Sequence, residues 1–213
     1  MKNYYIGLAL LMAAMFISNV SYAQPKAVDL GLSVKWADRN IGASAPEEYG
    51  GLYAWGETKI KTDYSWATYK WCLNREGNRF SKYVTERDYG STDYKTTLEK
   101  SDDAARANWG GGWRMPTQAE FEELKSKCTW EWTRQGGHEG YKVTGPNGKS
   151  IFLPAAGIWR YRRSSAGFEG YYWSSTLYTD EMYRARYLSF NSGTVRPSDI
   201  GRFNGLSIRP VKE

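Results

Sequence analysis

Residues 170–195 read GYYWSSTLYTDEMYRARYLSFNSGTV, and this stretch decides the fold. Short aromatic and apolar runs bounded by turn-forming residues are typical of β-strands. Such runs predict strands over 172–175, 185–190 and 194–195, with a tight turn at Asn191-Ser192-Gly193 between the last two. The stretch therefore predicts small antiparallel sheets.

The same patterns predict further short strands on both sides of this stretch. A hairpin is predicted from 141–144 and 150–153, because Gly145-Pro146-Asn147-Gly148 between them carries Asn-Gly turn chemistry. Residues 56–97 are polar, aromatic and weakly patterned, so we expect a long ordered loop region there. The remaining predicted strands are 32–36, 52–55, 130–132 and 206–211.

Two short helices are predicted from their start signals. Ser101 is expected to cap a helix that ends near residue 108, before three glycines. Thr117 and Glu120 have the spacing of a capping box at the start of the second helix. We therefore predict an α+β fold, with two short helices, small antiparallel sheets and long loops in one domain over 24–213.

The first 23 residues have the order of a secretory signal peptide. A short basic start is followed by an apolar run over 4–20 and by Ser21-Tyr22-Ala23, which has the small residues of a cleavage site. We expect cleavage after Ala23 and export to the periplasm, the cell surface or the medium, with no transmembrane segment remaining. The alternative is an uncleaved N-terminal anchor.

The composition indicates a loop-rich binding protein. The chain has 10 Trp, 17 Tyr, 7 Phe and 22 Gly, and its formal net charge is +6. Tyr, Trp and Arg are enriched at binding surfaces. Basic residues concentrate in 160–213. For an exported chain this charge favours a protein or glycan partner, or another acidic surface, and no nucleic acid.

The sequence offers little recognisable chemistry. Cys72 and Cys128 either form one disulfide or stay free. The single histidine, His138, is expected in an exposed glycine-rich loop. No phosphate-binding loop, nucleophile elbow or zinc-protease motif occurs. We expect no enzymatic activity and no cofactor, and the sequence leaves metal binding open.

Eight phrases occur in an order that points to one family. They are VDLGLSVKWA (28–37), GLYAWGE (51–57), DDAA (102–105), NWG (108–110), WRMPT (113–117), LPAAG (153–157), GYYWSS (170–175) and GLSIRPV (205–211). Together they resemble the Fibrobacter succinogenes major paralogous domain family, common in exported proteins of Bacteroidetes. The resemblance covers nearly all of residues 27–211.

The resemblance implies a C-type-lectin-like fold of the formylglycine-generating-enzyme branch, in which the chain ends pair and the late strands display a binding surface. The oxidase of that branch uses a cysteine pair near its C-terminal end, and no cysteine follows Cys128 here. Calcium-dependent lectins use a Glu-Pro-Asn or Gln-Pro-Asp loop, and neither tripeptide occurs. Neither activity is therefore expected.

Target proteins of diversity-generating retroelements use the same fold with a similar ending. Residues 171–211 resemble such a diversified segment, in which scaffold residues alternate with residues of no evident structural role. The alternative is that the latter are ordinary exposed loop residues. Glu181 and Met182 argue against full diversification, because a mutated Asn codon ending in a pyrimidine reaches neither.

From these features we predict a secreted or surface-displayed, non-enzymatic ligand-binding module. Its alternatives are a structural or adhesive protein of the cell envelope, and an enzyme acting on glycans or peptides through clustered carboxylates. The tryptophans at 36, 55, 113 and 173 are expected to be scaffold. The predicted ligand-binding residues are Tyr178, Tyr183, Arg184, Arg186, Arg196, Arg202 and Phe203.

Arg186 is the least certain of these residues. The family phrases favour Leu188 and Phe190 as inward-facing, and alternation along the strand puts Arg186 on the same face. Arg186 is therefore either a buried structural partner or a residue at the exposed edge of the strand.

Overall fold

The computed structural model describes residues 24–213, so the predicted signal peptide lies outside the described residues. Two α-helices are present in this range, α1 (Ala104–Trp109) and α2 (Gln118–Lys127). The strands are β1 (Ala27–Val28), β2 (Lys35–Ala37), β3 (Thr129–Gln135), β4 (His138–Thr144), β5 (Ser150–Pro154), β6 (Ile158–Arg160), β7 (Arg162–Ser164), β8 (Gly170–Leu177), β9 (Arg184–Asn191), β10 (Thr194–Gly201) and β11 (Val211–Lys212).

The strands form small antiparallel sheets, which confirms the predicted α+β class. Three sheets have three strands, in the orders β1-β2-β11, β10-β9-β8 and β3-β4-β5, and β6 pairs with β7. The hairpin over 141–153 and the strands on both sides of Asn191-Ser192-Gly193 are where the sequence predicts them. The first and last described strands both pair with β2, so the two ends of the domain share one sheet.

Three predicted strands are shorter than expected. Of the predicted 32–36 only Lys35 and Trp36 lie in β2, and of the predicted 206–211 only Val211 lies in β11. The predicted strand 52–55 forms a single bridge between Tyr53 and Leu206. Around this bridge, the Trp55 amide donates to the Arg202 carbonyl at 2.9 Å. Residues 56–97 are a long loop region, as predicted, with one 3₁₀ turn at Arg87–Tyr89.

The two helices begin differently. Thr117 and Glu120 form the predicted capping box of α2: the Glu120 amide donates to Thr117 Oγ1, and the Thr117 amide donates to Glu120 Oε2. The prediction of Ser101 as the cap of α1 is wrong, because Asp103 occupies that position. The carboxylate of Asp103 accepts the amides of two α1 residues and also that of Met115 at 2.8 Å.

His138 lies in a strand and not in a loop. The turn before it consists of Gly136 and Gly137, whose positive φ angles of 54° and 89° suit glycine. His138 begins β4, is half-buried, and packs edge-on against Tyr49 with 4.7 Å between the ring centroids. The prediction of an exposed loop histidine is therefore wrong.

Buried aromatic side chains hold the sheets together. The tryptophans at 36, 55, 113 and 173 are all at most 6% exposed, which confirms their burial. Trp55 and Trp173 each donate a hydrogen bond to the backbone of the segment that carries the other. Trp55 Nε1 donates to the Ser174 carbonyl, and Trp173 Nε1 donates to the Tyr53 carbonyl. This exchange fastens the loop around 53–55 to β8.

The two cysteines are free and half-buried. Cys72 packs against a cluster formed largely by loop residues such as Tyr69 and Phe80, whereas Cys128 packs against the cluster under α2.

Within residues 24–213, no helix has the length and apolar character needed to cross a membrane.

Candidate ligand-binding groove

The predicted site residues lie on β9, β10 and the turns around them. Antiparallel pairing places Asp199 opposite Arg186 and Gly201 opposite Arg184. Arg184 Nη1 donates to Asp199 Oδ2 at 2.7 Å, and Arg184 Nε lies 3.0 Å from Glu181 Oε2. The hydrogen bond that Arg184 donates to Asp199 raises the pKa of Arg184. Arg184 is therefore a positioned cation whose charge is already balanced by two carboxylates.

Arg186 lies at the half-exposed end of its strand face. Its guanidinium carbon is 4.3 Å from the ring centroid of Tyr178, and its Nη1 is 4.0 Å from Asp199 Oδ1. Leu188, on the same face, is buried in the cluster under α2. Of the two alternatives for Arg186, the exposed edge is correct, because the helix packs near Leu188 and leaves the Arg186 end open.

A groove of about 240 Å³ brings three of the seven predicted residues together. Tyr183 and Arg184 line one part of it, and Phe203 lines another. We call this site the β9–β10 groove. Its lining residues are Trp66, Arg160, Tyr161, Tyr183, Arg184, Asp199, Ile200, Gly201, Phe203 and Asn204.

Aromatic rings form much of the wall of the β9–β10 groove. The ring centroids of Trp66 and Phe203 are 4.6 Å apart, and those of Tyr161 and Phe203 are 5.8 Å apart. Phe203 is only 5% exposed, so the prediction of an exposed Phe203 is wrong, although its ring lies beneath the groove. Tyr161 is 71% exposed and stands at the rim.

Arg202 is buried, so the prediction that it belongs to an exposed binding surface is wrong. Its guanidinium carbon lies 4.0 Å from the ring centroid of Phe80, and Nη1 donates to the carbonyls of Lys82 and Tyr83. Burial lowers the pKa of Arg202. The Arg202 amide donates to the Tyr183 carbonyl, and its carbonyl accepts the Trp55 amide. The rings of Trp55, Tyr69 and Phe80 cover the guanidinium.

We expect volume, more than charge, to determine the contribution of Arg202 to stability. Arg202→Ala should lower the free energy of unfolding by about 2–4 kcal/mol, because it leaves a cavity over Phe80. Arg202→Met should cost less, about 1–3 kcal/mol, because it keeps most of the volume and removes only the Nη1 donor of the Lys82 and Tyr83 carbonyls, whereas Nε and Nη2 have no partner to lose. Urea denaturation of both variants measures the difference, and equal losses would contradict this account.

Arg196 lies apart from the other predicted residues. It is three positions from Asp199 on β10, so the two side chains point to opposite faces of the sheet. Arg196 is exposed and borders a smaller depression of about 100 Å³ with Tyr171 and Tyr187. The predicted set therefore does not form one surface.

Seven lining residues of the β9–β10 groove were not predicted as site residues, and three of them, Asp199, Ile200 and Gly201, lie on β10. Arg160 and Tyr161 come from the β6–β7 hairpin, Trp66 comes from the long loop region, and Asn204 follows Phe203. The Arg160-Tyr161-Arg162-Arg163 run is the sequence signal that points to this hairpin. Trp66 carries no comparable signal, because only tertiary packing brings it to Phe203.

The groove provides groups for binding, namely arginine donors, tyrosine hydroxyls and aromatic faces. Both carboxylates next to it, Glu181 and Asp199, are ion-paired with Arg184. Among residues 24–213, no group of three or more His, Cys, Asp or Glu side chains is arranged to hold a metal ion.

A larger cavity of about 430 Å³ lies elsewhere, against the start of the described chain. Gln24, Tyr53 and Trp109 are among its lining residues. None of the seven predicted site residues contributes to it. The β9–β10 groove is therefore the cavity in which the predicted residues meet aromatic neighbours.

Comparison with protein-family models, with curated proteins and with solved structures gave no match. The geometry of the site is therefore the basis on which a function can be assigned.

Proposed function

We propose that this protein is a secreted or surface-displayed, non-enzymatic ligand-binding module, and that the β9–β10 groove is its binding site. The observation that carries the proposal is the convergence of Tyr183, Arg184 and Phe203 with Trp66 and Tyr161 in one open groove. Rigid aromatic side chains and arginines commonly provide most of the energy at binding sites.

The ion pairs beside the groove suit a binding role. Arg184 is held between Glu181 and Asp199, so little side-chain entropy remains to be lost when a ligand arrives. The Tyr183 hydroxyl donates to Glu181 at 2.8 Å, which fixes this ring next to Arg184. The site is thus preorganised on strand β9 and the turn before it.

Two finer proposals accompany this function. We infer a C-type-lectin-like fold, which the shared sheet of the first and last described strands supports. We also infer that residues 171–211 are a diversified segment. Its support is the separation of buried Trp173 and Leu188 from half-exposed Tyr178, Tyr183 and Arg186. A reverse transcriptase gene beside a near-copy of codons 171–211 that differs at adenines would test the second inference.

Alanine variants test the proposed site. The protein is screened against arrays of saccharides and peptides, and the affinity of each ligand found is then measured for Tyr183→Ala and Arg184→Ala. We expect each variant to lose about 2 kcal/mol of binding free energy or more, as anchor residues commonly do. Arg79→Ala is the matched control, because Arg79 is exposed and lies outside the groove.

The screen also has outcomes that contradict the proposal. If no ligand binds, or if every ligand binds the folded Tyr183 and Arg184 variants as tightly as the parent, the β9–β10 groove is not the binding site.

A further inference from the structure

The β6–β7 hairpin carries two arginines that directly face each other. Arg160 pairs with Arg162 across the hairpin, and both side chains are exposed. Like charges directly opposite each other destabilise a pair of strands. Among the described residues, no carboxylate lies within 4.0 Å of either guanidinium, and neither side chain has a hydrogen-bond partner. An anion bound from outside would relieve this repulsion.

Tyr161, between the two arginines, is held in a costly conformation. Its φ is +60°, in the left-handed region that a residue with a side chain adopts only at a cost in free energy. The conformation leaves its ring 71% exposed at the rim of the β9–β10 groove, beside Phe203. Backbone strain of this kind clusters at functional sites. The hairpin therefore presents an aromatic face flanked by two unpaired cations.

Asn204 adds an unsatisfied acceptor to the same groove. Its side chain is 1% exposed, its Nδ2 donates to the Gly201 carbonyl at 2.7 Å, and its Oδ1 has no partner. A buried acceptor without a donor costs free energy. A ligand hydroxyl that reaches this part of the groove would supply the donor. A simple carboxylate or sulfate ion has no such group.

We propose that the β6–β7 hairpin and the β9–β10 groove bind an acidic saccharide, a sugar chain that carries carboxylate or sulfate groups. Its anionic groups meet Arg160 and Arg162, an apolar face of a sugar ring packs on Tyr161, and a hydroxyl donates to Asn204. This inference rests on the proposed function and names the ligand class. The groove is smaller than the roughly 300–1,000 Å³ of drug-sized sites, so it takes part of the chain and not all of it.

Calorimetric titration with defined probes tests this assignment. The probes are a chondroitin sulfate hexasaccharide, the same hexasaccharide without sulfate, neutral maltohexaose and a hexaglutamate peptide. We expect at least one acidic hexasaccharide to bind, maltohexaose not to bind, and hexaglutamate to bind more weakly. The two acidic probes separate recognition of sulfate from recognition of carboxylate.

Variants with matched charge identify the site. The double variant Arg160→Gln/Arg162→Gln should lower the affinity for the acidic hexasaccharide about tenfold or more, because two charge-assisted contacts are lost. The control Arg79→Gln/Arg87→Gln removes the same charge from exposed positions that form no ion pair within the described chain and should leave the affinity unchanged. Tyr161→Gly should also weaken binding while relieving the backbone strain.

Four results would overturn the inference. They are that neither acidic hexasaccharide binds, that maltohexaose binds as tightly as the acidic hexasaccharide, that hexaglutamate does so, or that the Arg160/Arg162 double variant loses no more affinity than the Arg79/Arg87 control. Its failure is distinguishable from failure of the proposed function. A peptide or neutral sugar that binds the parent and is lost in Tyr183→Ala supports the groove and rejects the acidic saccharide.

Discussion

Replacing Trp173 with alanine is expected to lower the free energy of unfolding by about 3–5 kcal/mol. The indole is fully buried in the cluster that also contains Trp55 and Tyr187, and its Nε1 donates to the Tyr53 carbonyl at 2.8 Å. Truncation removes this packing, leaves a cavity and removes one of the two donors of the Tyr53 carbonyl, which keeps only the Leu206 amide. Urea denaturation, followed by near-ultraviolet circular dichroism, measures the change.

Two comparison variants separate the parts of this effect. Trp173→Phe keeps most of the ring and loses the hydrogen bond, so we expect a smaller loss of about 1–3 kcal/mol. Trp132→Ala removes a tryptophan that is only partly buried, at the margin of another cluster, and should also cost less than Trp173→Ala. A Trp173→Ala variant as stable as the parent would show that packing of the indole does not contribute to the stability of the fold.

The local elements of this fold are readable from sequence because local chemistry determines them. The capping box of α2 needs only Thr117 and Glu120, and the hairpin around 145–148 needs only its turn residues. Ser101 and Asp103 are both plausible caps by residue type. The choice of Asp103 depends on the Met115 amide, which the folded chain brings to its carboxylate. Position in the sequence does not reveal that contact.

The candidate site was less readable, because it combines distant segments. Tyr183 and Arg184 are recognisable as free to face a ligand, since they lie at the start of a patterned strand. No hydrophobic periodicity in the sequence marks Arg202 and Phe203 as buried. In the structure, loop residues cover them, since Phe80 packs on Arg202 and Trp66 packs on Phe203. Tyr161 reaches the site because it is the turn residue of a short hairpin and has a left-handed backbone conformation. No feature of the sequence predicts that conformation.

Arg209 also illustrates this dependence on tertiary contacts. The side chain is fully buried, and each of its nitrogens has a partner in a different segment. Nε donates to Asn40 Oδ1 at 2.9 Å, Nη1 to the Ala37 carbonyl at 3.1 Å, and Nη2 to the Phe152 carbonyl at 2.8 Å. Burial lowers the pKa of Arg209 to about 10. One guanidinium thus ties the C-terminal segment to the end of β2, to the loop after it and to β5.

Arg209→Met is therefore expected to lower the free energy of unfolding by about 3 kcal/mol or more, because three buried acceptors lose their donor at about 1–3 kcal/mol each. Arg209→Lys keeps the charge, but a single ammonium cannot reproduce a planar fork that reaches three segments, so we expect a substantial loss as well. The exposed Arg79→Met is the control and should change stability by less than about 0.5 kcal/mol.

The comparison with Arg202 makes the prediction for Arg209 discriminating. Both guanidinium groups are fully buried, and burial lowers the pKa of both. Arg202 has two nitrogens without a partner, whereas Arg209 has none. If satisfied hydrogen bonds determine the contribution of a buried arginine to stability, replacement by methionine should cost more at 209, where all three nitrogens donate, than at 202, where only Nη1 does. Equal losses in urea denaturation would show that side-chain volume alone decides, and the account of Arg209 as a three-way hydrogen-bonded tie would be wrong.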